Sequence, residues 1–162
     1  MPDLQLRIEL SLQRLSCIEA GREIDSFPVS TAKNGAGERY DSGCTPRGRH
    51  RIRLKIGEGC EENAVFVGRR ATGERYSREL ADKEPGRDWV LTRILWLTGL
   101  ERGKNRGGEV DSLRRFIYIH GTPDEEPMGV PASHGCIRMR NRDLMVLFDR
   151  VERGALVEMV DY

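Results

Sequence analysis

A chain of 162 residues is long enough for one domain with a sizeable core and too short for two ordinary ones. Its 27 basic and 26 acidic side chains leave a formal net charge of +1, so the field that nucleic-acid binding requires is missing. The longest apolar stretch, residues 89–100, is interrupted by Arg93 and is too short to span a bilayer, which speaks against a membrane partner.

The chain enters strict alternation at once. Leu4, Leu6, Ile8, Leu10 and Leu12 are apolar against Gln5, Arg7, Glu9 and Ser11, the pattern of a half-buried strand. Neither a basic start nor an unbroken apolar segment precedes it, which leads to the expectation of a cytoplasmic protein; a periplasmic one is the alternative if an export signal has been removed. A cytoplasmic chain keeps its four cysteines reduced. Cys17 reads as a small core residue, and Cys44 and Cys60 as inert thiols in Gly-rich loops. Ala20-Gly21-Arg22, following the apolar residues 15–18, signals a hairpin, and Asn34-Gly35-Ala36-Gly37 a loop. Alternation returns at residues 50–56, with Ile52, Leu54 and Ile56 expected inward and Arg51, Arg53 and Lys55 outward.

Residues 57–115 are richer in Gly and charge and read as a candidate insertion that caps the site, within a single domain over 1–162. Inside this stretch, residues 89–97 are predicted as a strand because aromatic and β-branched side chains lie between Gly86 and Gly99. The apolar run Phe116-Ile117-Tyr118-Ile119 then leads into His120-Gly121-Thr122. Further on, Leu144, Leu147, Phe148 and Val151 fall at helical spacing, with Asn141 or Asp143 expected to cap the start and Gly154 to end the helix. Residues 156–160 close the chain as a strand.

The chemistry concentrates in Ser133-His134-Gly135-Cys136-Ile137-Arg138. A free thiol has a pKa of about 8.5, so a nucleophilic cysteine needs an imidazole or oriented amides to help it ionise. His120 stands at a strand end, where a side chain is held rigidly yet reachable. His134 sits two residues from the sulfur, and loop geometry suits it to a structural or substrate-contacting role better than to proton transfer. Gly135 permits a tight turn, and the amides of Gly135 and Cys136 are candidates for an oxyanion hole. Arg138 offers the paired donors of a carboxylate clamp. Ser133 and Thr122 are expected to fix the loop through backbone hydrogen bonds.

These residues resemble the L,D-transpeptidase catalytic domain family, also called the YkuD domain. The resemblance is carried by His120-Gly121-Thr122-Pro123, Met128-Gly129, and Ser133 to Met139 with Asn141 and Asp143 following, and upstream by Pro28-Val29-Ser30-Thr31-Ala32-Lys33 and Thr45-Pro46-Arg47-Gly48. Many members have Asn where this chain has Arg138, so it resembles an Arg-bearing subgroup. The resemblance implies a mainly β sandwich with mixed sheets, an inserted cap and one main helix after Cys136. It implies Cys136 as nucleophile, His120 as general base and acid, and the Gly121 carbonyl as the group that orients His120. The implied substrate is a peptidoglycan stem tetrapeptide or muropeptide, cleaved between the diamino acid and the terminal D-alanine through a thioester, with Arg138, His134 and Ser133 contacting it. Acylation by carbapenem-type β-lactams is implied as well, and no cofactor or metal. With water as acceptor the enzyme is an L,D-carboxypeptidase of muropeptide recycling, the preferred expectation; with an amine it is an L,D-transpeptidase making 3-3 cross-links.

Two alternatives come from other classes. His120, His134, Cys136 and Cys44 or Cys60 offer four zinc-type donors, although the chain lacks C-x-x-C and H-E-x-x-H spacing. A non-catalytic wall-binding module predicts that removing the sulfur alone leaves function intact.

Overall fold

The computed structural model describes residues 4–162. Ten strands, β1 (Gln5–Glu9), β2 (Arg14–Glu19), β3 (Arg22–Ser30), β4 (Gly48–Ile56), β5 (Ala64–Val67), β6 (Arg70–Arg75), β7 (Val90–Gly99), β8 (Tyr118–Gly121), β9 (Ile137–Met139) and β10 (Leu156–Val160), form one mixed sheet. Two helices accompany them, α1 (Arg78–Lys83) and α2 (Asn141–Arg150). The hydrogen-bonded order runs β4-β10-β1-β2-β3-β9-β8-β7, and β7 pairs back onto β4, so these strands close on themselves. The pairs β1–β10 and β8–β9 are parallel and the others antiparallel. Closure gives the sandwich-like arrangement its continuous core and leaves β5–β6 as a hairpin attached beside β4 on β7.

The period-two pattern determines the faces. Leu6 and Ile8 of β1, Leu15 and Cys17 of β2, Ile52 of β4, and Val157 and Met159 of β10 point into one core. The first strand stops earlier than its alternation suggests: Leu12 lies in the β1–β2 turn and is 58% exposed. The turn is secured by buried Gln13, whose side chain donates to the Leu10 carbonyl and to Thr31 Oγ1 and accepts from Thr31 N–H. The next turn has the form its sequence predicts, with Ala20 and Gly21 both at positive φ as a two-residue hairpin requires.

Leu144, Leu147 and Phe148 bring one face of α2 into the same core. Its ends differ from expectation. Arg140 occupies the cap position without a side-chain bond, Asn141 is already inside the helix, and the last turn closes at Val151 N–H to the Leu147 carbonyl, 3.0 Å. Gly154, at φ +92°, instead turns the chain into β10. Asn141 is missing from the cap because its amide is committed elsewhere, as the site shows.

Residues 57–115 contain two different things. β7 is the longest strand and lies between β8 on one side and β4 and β5 on the other. The β5–β6 hairpin, α1 and Tyr76 between them pack Val65, Tyr76 and Leu80 against Trp89 and Leu91, and Phe66 against Ile94 and Tyr118. No helix among the described residues is long and apolar enough to cross a membrane.

Candidate active site

β8 and β9 run parallel with Ile119 opposite Ile137, His120 opposite Arg138 and Gly121 opposite Met139. Alternation sends Ile119, Ile137 and Met139 to the core, so Tyr118, His120 and Arg138 share the other face, where Cys136 enters just before β9. The thiol, one residue before β9, and the imidazole on β8 therefore lie on one side of the sheet, one pleat apart.

The turn that delivers Cys136 is held at several atoms. Gly135 has φ +133°, and a Cβ there would lie 3.3 Å from the Cys44 carbonyl. Thr45 Oγ1 donates to the Gly135 carbonyl at 2.9 Å, and Ser133 Oγ donates to the Cys136 carbonyl at 2.5 Å. Ser133 thus fixes the loop, as expected, but its hydroxyl also accepts the Gly135 N–H at 3.3 Å. Of the two amides expected to hold an oxyanion, that of Gly135 already has a partner.

Cys136 Sγ lies 3.2 Å from the Phe116 carbonyl and 3.3 Å from Tyr118 N–H, so the thiol donates to the first and accepts from the second. Phe116 holds that carbonyl in place from a left-handed conformation, φ +57°, which is strained for a bulky side chain. Burial pushes the thiol up to about 12; the Tyr118 amide, Arg138 and Arg115 pull the other way, and Asp88 adds to the rise. His120 is buried, and burial draws its pKa below the ordinary histidine value. Its Nδ1 lies 2.7 Å from the Gly121 carbonyl. A carbonyl only accepts, so Nδ1 carries the hydrogen and Nε2 keeps a lone pair for a proton. Burial of the two groups favours the neutral thiol and the neutral imidazole over their charged forms.

Gly121 is required for a second reason. A Cβ at this position would run into Asn141 Oδ1 and come within 2.6 Å of the Leu91 carbonyl. Asn141 donates to the Thr122 carbonyl at 2.9 Å and accepts from Thr92 Oγ1 at 2.6 Å. Thr92 reaches it from a bulge in β7, between the pairs Leu91–Gly121 and Ile94–His120, at φ +76°. This bracket behind β8 was legible only as an Asn following the motif.

The remaining candidates separate. His134 is exposed on the rim, its Nδ1 3.5 Å from Asp88 Oδ2, away from the geometry of a base. Arg138 is buried and donates to Asp88 Oδ1 at 3.1 Å and to the Ala132 carbonyl at 3.3 Å. Asp88 is the carboxylate the sequence did not disclose, since it precedes β7 without any motif. With His134, Arg138, Tyr76, Trp89 and Thr122 it lines a cavity of about 420 Å³. A larger cavity, about 790 Å³ beside Ile24, Arg51 and Arg150, shares no residue with the site. His120, His134, Cys136, Cys44 and Cys60 are not brought together as ligands, and no three His, Cys, Asp or Glu side chains converge on a metal position among the described residues.

A thiol and an imidazole one pleat apart on one face of the sheet, with one imidazole nitrogen held by a carbonyl, are groups that nucleophilic acyl transfer can use. The model of the L,D-transpeptidase catalytic domain matches residues 4–159, and the chain belongs to that family. It is similar to a probable L,D-transpeptidase, YbiS of Escherichia coli K12, with 43% identity over 49 residues, which is 30% of this chain and 16% of that protein. Among solved structures, Bd1075 of Bdellovibrio bacteriovorus aligns with TM-score 0.61 and 16% identity over 99% of this chain and 49% of that one. L,D-transpeptidase 3 of Mycobacterium tuberculosis, in complex with a faropenem-derived adduct, aligns with TM-score 0.59 and 17% identity over 99% of this chain and 61% of that one. The chain thus spans only part of each of these proteins.

Proposed function

We propose that this protein cleaves peptidoglycan stem tetrapeptides by cysteine-dependent acyl transfer. The observation that carries the reading is the placement of Cys136 and carbonyl-anchored His120 on one face of β8 and β9. His120 Nε2 takes the thiol proton as Sγ attacks the carbonyl between the L-centre of the diamino acid and the terminal D-alanine. The C–S bond forms, the C–N bond breaks, and the same imidazole returns the proton to the departing amine. A thioester on Cys136 remains for an acceptor.

Water is the proposed acceptor, making the enzyme an L,D-carboxypeptidase that trims soluble muropeptides to tripeptides in the cytoplasm. An amine acceptor, giving 3-3 cross-links, is the second reading of the same first half-reaction. β-Lactams, carbapenems among them, are proposed to acylate Cys136, by analogy with the faropenem-derived adduct in the mycobacterial structure of similar fold.

Incubation with a purified tetrapeptide muropeptide, followed by mass analysis, tests the reading. Tripeptide with equimolar free D-alanine supports hydrolysis, and 3-3 dimers as the main product move the assignment to cross-linking. Absence of D-alanine release from any tetrapeptide removes the reading. Fractionation of cells that express the native gene tests the cytoplasmic location.

A further inference from the structure

The β5–β6 hairpin turns on Gly68 and Arg69, both left-handed, with φ of 56° and 66°. Glycine takes that conformation freely, whereas an arginine is strained there. The strained backbone lays the guanidinium of Arg69 over two rings, its Cζ 4.7 Å from the Phe116 centroid and 5.1 Å from that of Trp96. Its Nη1 donates to the Tyr118 hydroxyl at 3.1 Å. The rings support one another, with centroids 6.1 Å apart for Trp96–Phe116 and 5.9 Å for Trp96–Tyr118. Arg69 makes no ion pair among the described residues, so a cation held by stacking keeps most of its five donors unassigned.

This platform abuts the thiol. Phe116 supplies the carbonyl and Tyr118 the amide that hold Cys136 Sγ. Along β8 the platform lies at the Tyr118 end, and His120, whose register partner is Arg138, lies at the other. The nucleophile therefore stands between a guanidinium lacking an acid and one that already holds Asp88. Stacking has removed the rotational freedom of Arg69, so a carboxylate docking on its fork meets a small ordering cost.

We propose that Arg69 is a specificity-determining residue that binds a carboxylate of the stem peptide on the β5–β6 side of Cys136. The proposal rests on the peptidoglycan reading and deepens it. The shared chemistry is a carboxylate. Its three sources in a tetrapeptide are the glutamate, the diamino acid side chain and the terminal D-alanine.

The test measures D-alanine release from the free tetrapeptide and from three forms, each amidated at one of these carboxylates, by wild type, Arg69→Met and Arg69→Lys. Methionine keeps an unbranched apolar side chain on the rings and removes the charge. Arg69→Met is expected to lower kcat/KM on the free peptide about 10- to 100-fold, mainly through KM, the range for a hydrogen bond to a charged group. Amidation of the carboxylate that is read costs wild type a similar factor and costs Arg69→Met nothing further, while Arg69→Lys retains part of the discrimination. If Arg69→Met slows all four substrates by one factor, or none, the inference is overturned and the peptidoglycan reading stands. If wild type releases D-alanine from none of them, both fall. Melting curves of the two variants separate a folding defect, which lowers the melting point and acts equally on every substrate, from the expected loss of discrimination.

Discussion

Asp88 Oδ1 lies 3.1 Å from Arg138 Nη2 in the wall of the cavity they share with His134 and Thr122, so the arginine suited to clamp a substrate carboxylate already holds one from the protein. Asp88 also places a negative charge that raises the pKa of both Cys136 and His120. Asp88→Asn is expected to shift the pH profile of acylation toward lower pH, because both groups lose that charge. It should also lower KM for the tetrapeptide several-fold by freeing the guanidinium. Arg138→Lys should raise KM instead, since a point charge does not replace a bidentate fork. Unchanged profiles and KM values for both variants would assign the pair a purely structural role.

Burial determines the pH dependence of the first half-reaction. The imidazole must be neutral to accept the thiol proton, and its pKa lies below the ordinary 6.5. Acylation should therefore rise with pH along a limb centred below 6.5, then stay flat through neutrality, because the thiol ionises by itself only near 12. Rates measured under kcat/KM conditions from pH 4 to 9 check this; a limb centred near 8.5 would point to a preformed thiolate requirement.

Cys136→Ala should remove turnover and covalent labelling by a carbapenem while leaving the melting curve unchanged. An adduct on Cys17, Cys44 or Cys60 in that variant would end the assignment. His120→Ala should slow acylation about 100- to 10,000-fold, the range for a lost general base, and His134→Ala far less. Intact-protein mass spectrometry reads both.

Gly121→Ala pushes a methyl group against Asn141 Oδ1 and to 2.6 Å from the Leu91 carbonyl. Overpacking of this kind costs about 1–3 kcal/mol. The expected result is a lower denaturation midpoint together with slower acylation, since residue 121 must shift and its own carbonyl is the one that anchors His120. Wild-type stability in this variant would show that the bracket yields without cost.

His50 reports on stability away from the site. It is buried between the Gly48 carbonyl and Ser112 Oγ, at 3.1 and 2.8 Å, and burial lowers its pKa from 6.5 to about 4. The unfolded chain binds this proton at 6.5 and the folded chain only near 4, so stability is full above 6.5 and declines as pH falls between these values. The loss is about 3 kcal/mol. Urea midpoints at pH 7 and pH 4.5 should differ more in wild type than in His50→Gln, because the variant has no proton to bind there.

Much of the sheet follows from the chain's own pattern. The alternation at residues 50–56 and 156–160 names strands that the structure contains, although a bulge between Ile52 and Leu54 breaks the first pattern, so that Ile56 packs with Phe66 and Ile94 and Lys55 lies over Phe148; Ala20-Gly21 supplies the two positive φ angles its hairpin needs. These features are legible because the period of a strand and the conformational freedom of a turn residue are local properties. The same holds for the run from Ser133 to Arg138, where Gly135 and Cys136 are adjacent in sequence and their chemistry is written in neighbouring side chains.

What only the tertiary structure decided are the pairings across the chain. Leu12 continues the alternation, yet Gln13 ends the strand by bonding to Thr31. Asn141 looks like a helix cap, yet a bulge in β7 brings Thr92 to it and turns its amide toward Thr122. Asp88 meets Arg138 fifty residues away, and Arg69 reaches the Tyr118 hydroxyl from a hairpin that carries no strong turn signature. The Thr92–Asn141 contact comes from the bulge in β7, whose register is fixed by β4 on one side and β8 on the other. Periodicity assigns a residue to a face, but its partner there is set by the closure of distant strands, a property of the folded chain as a whole.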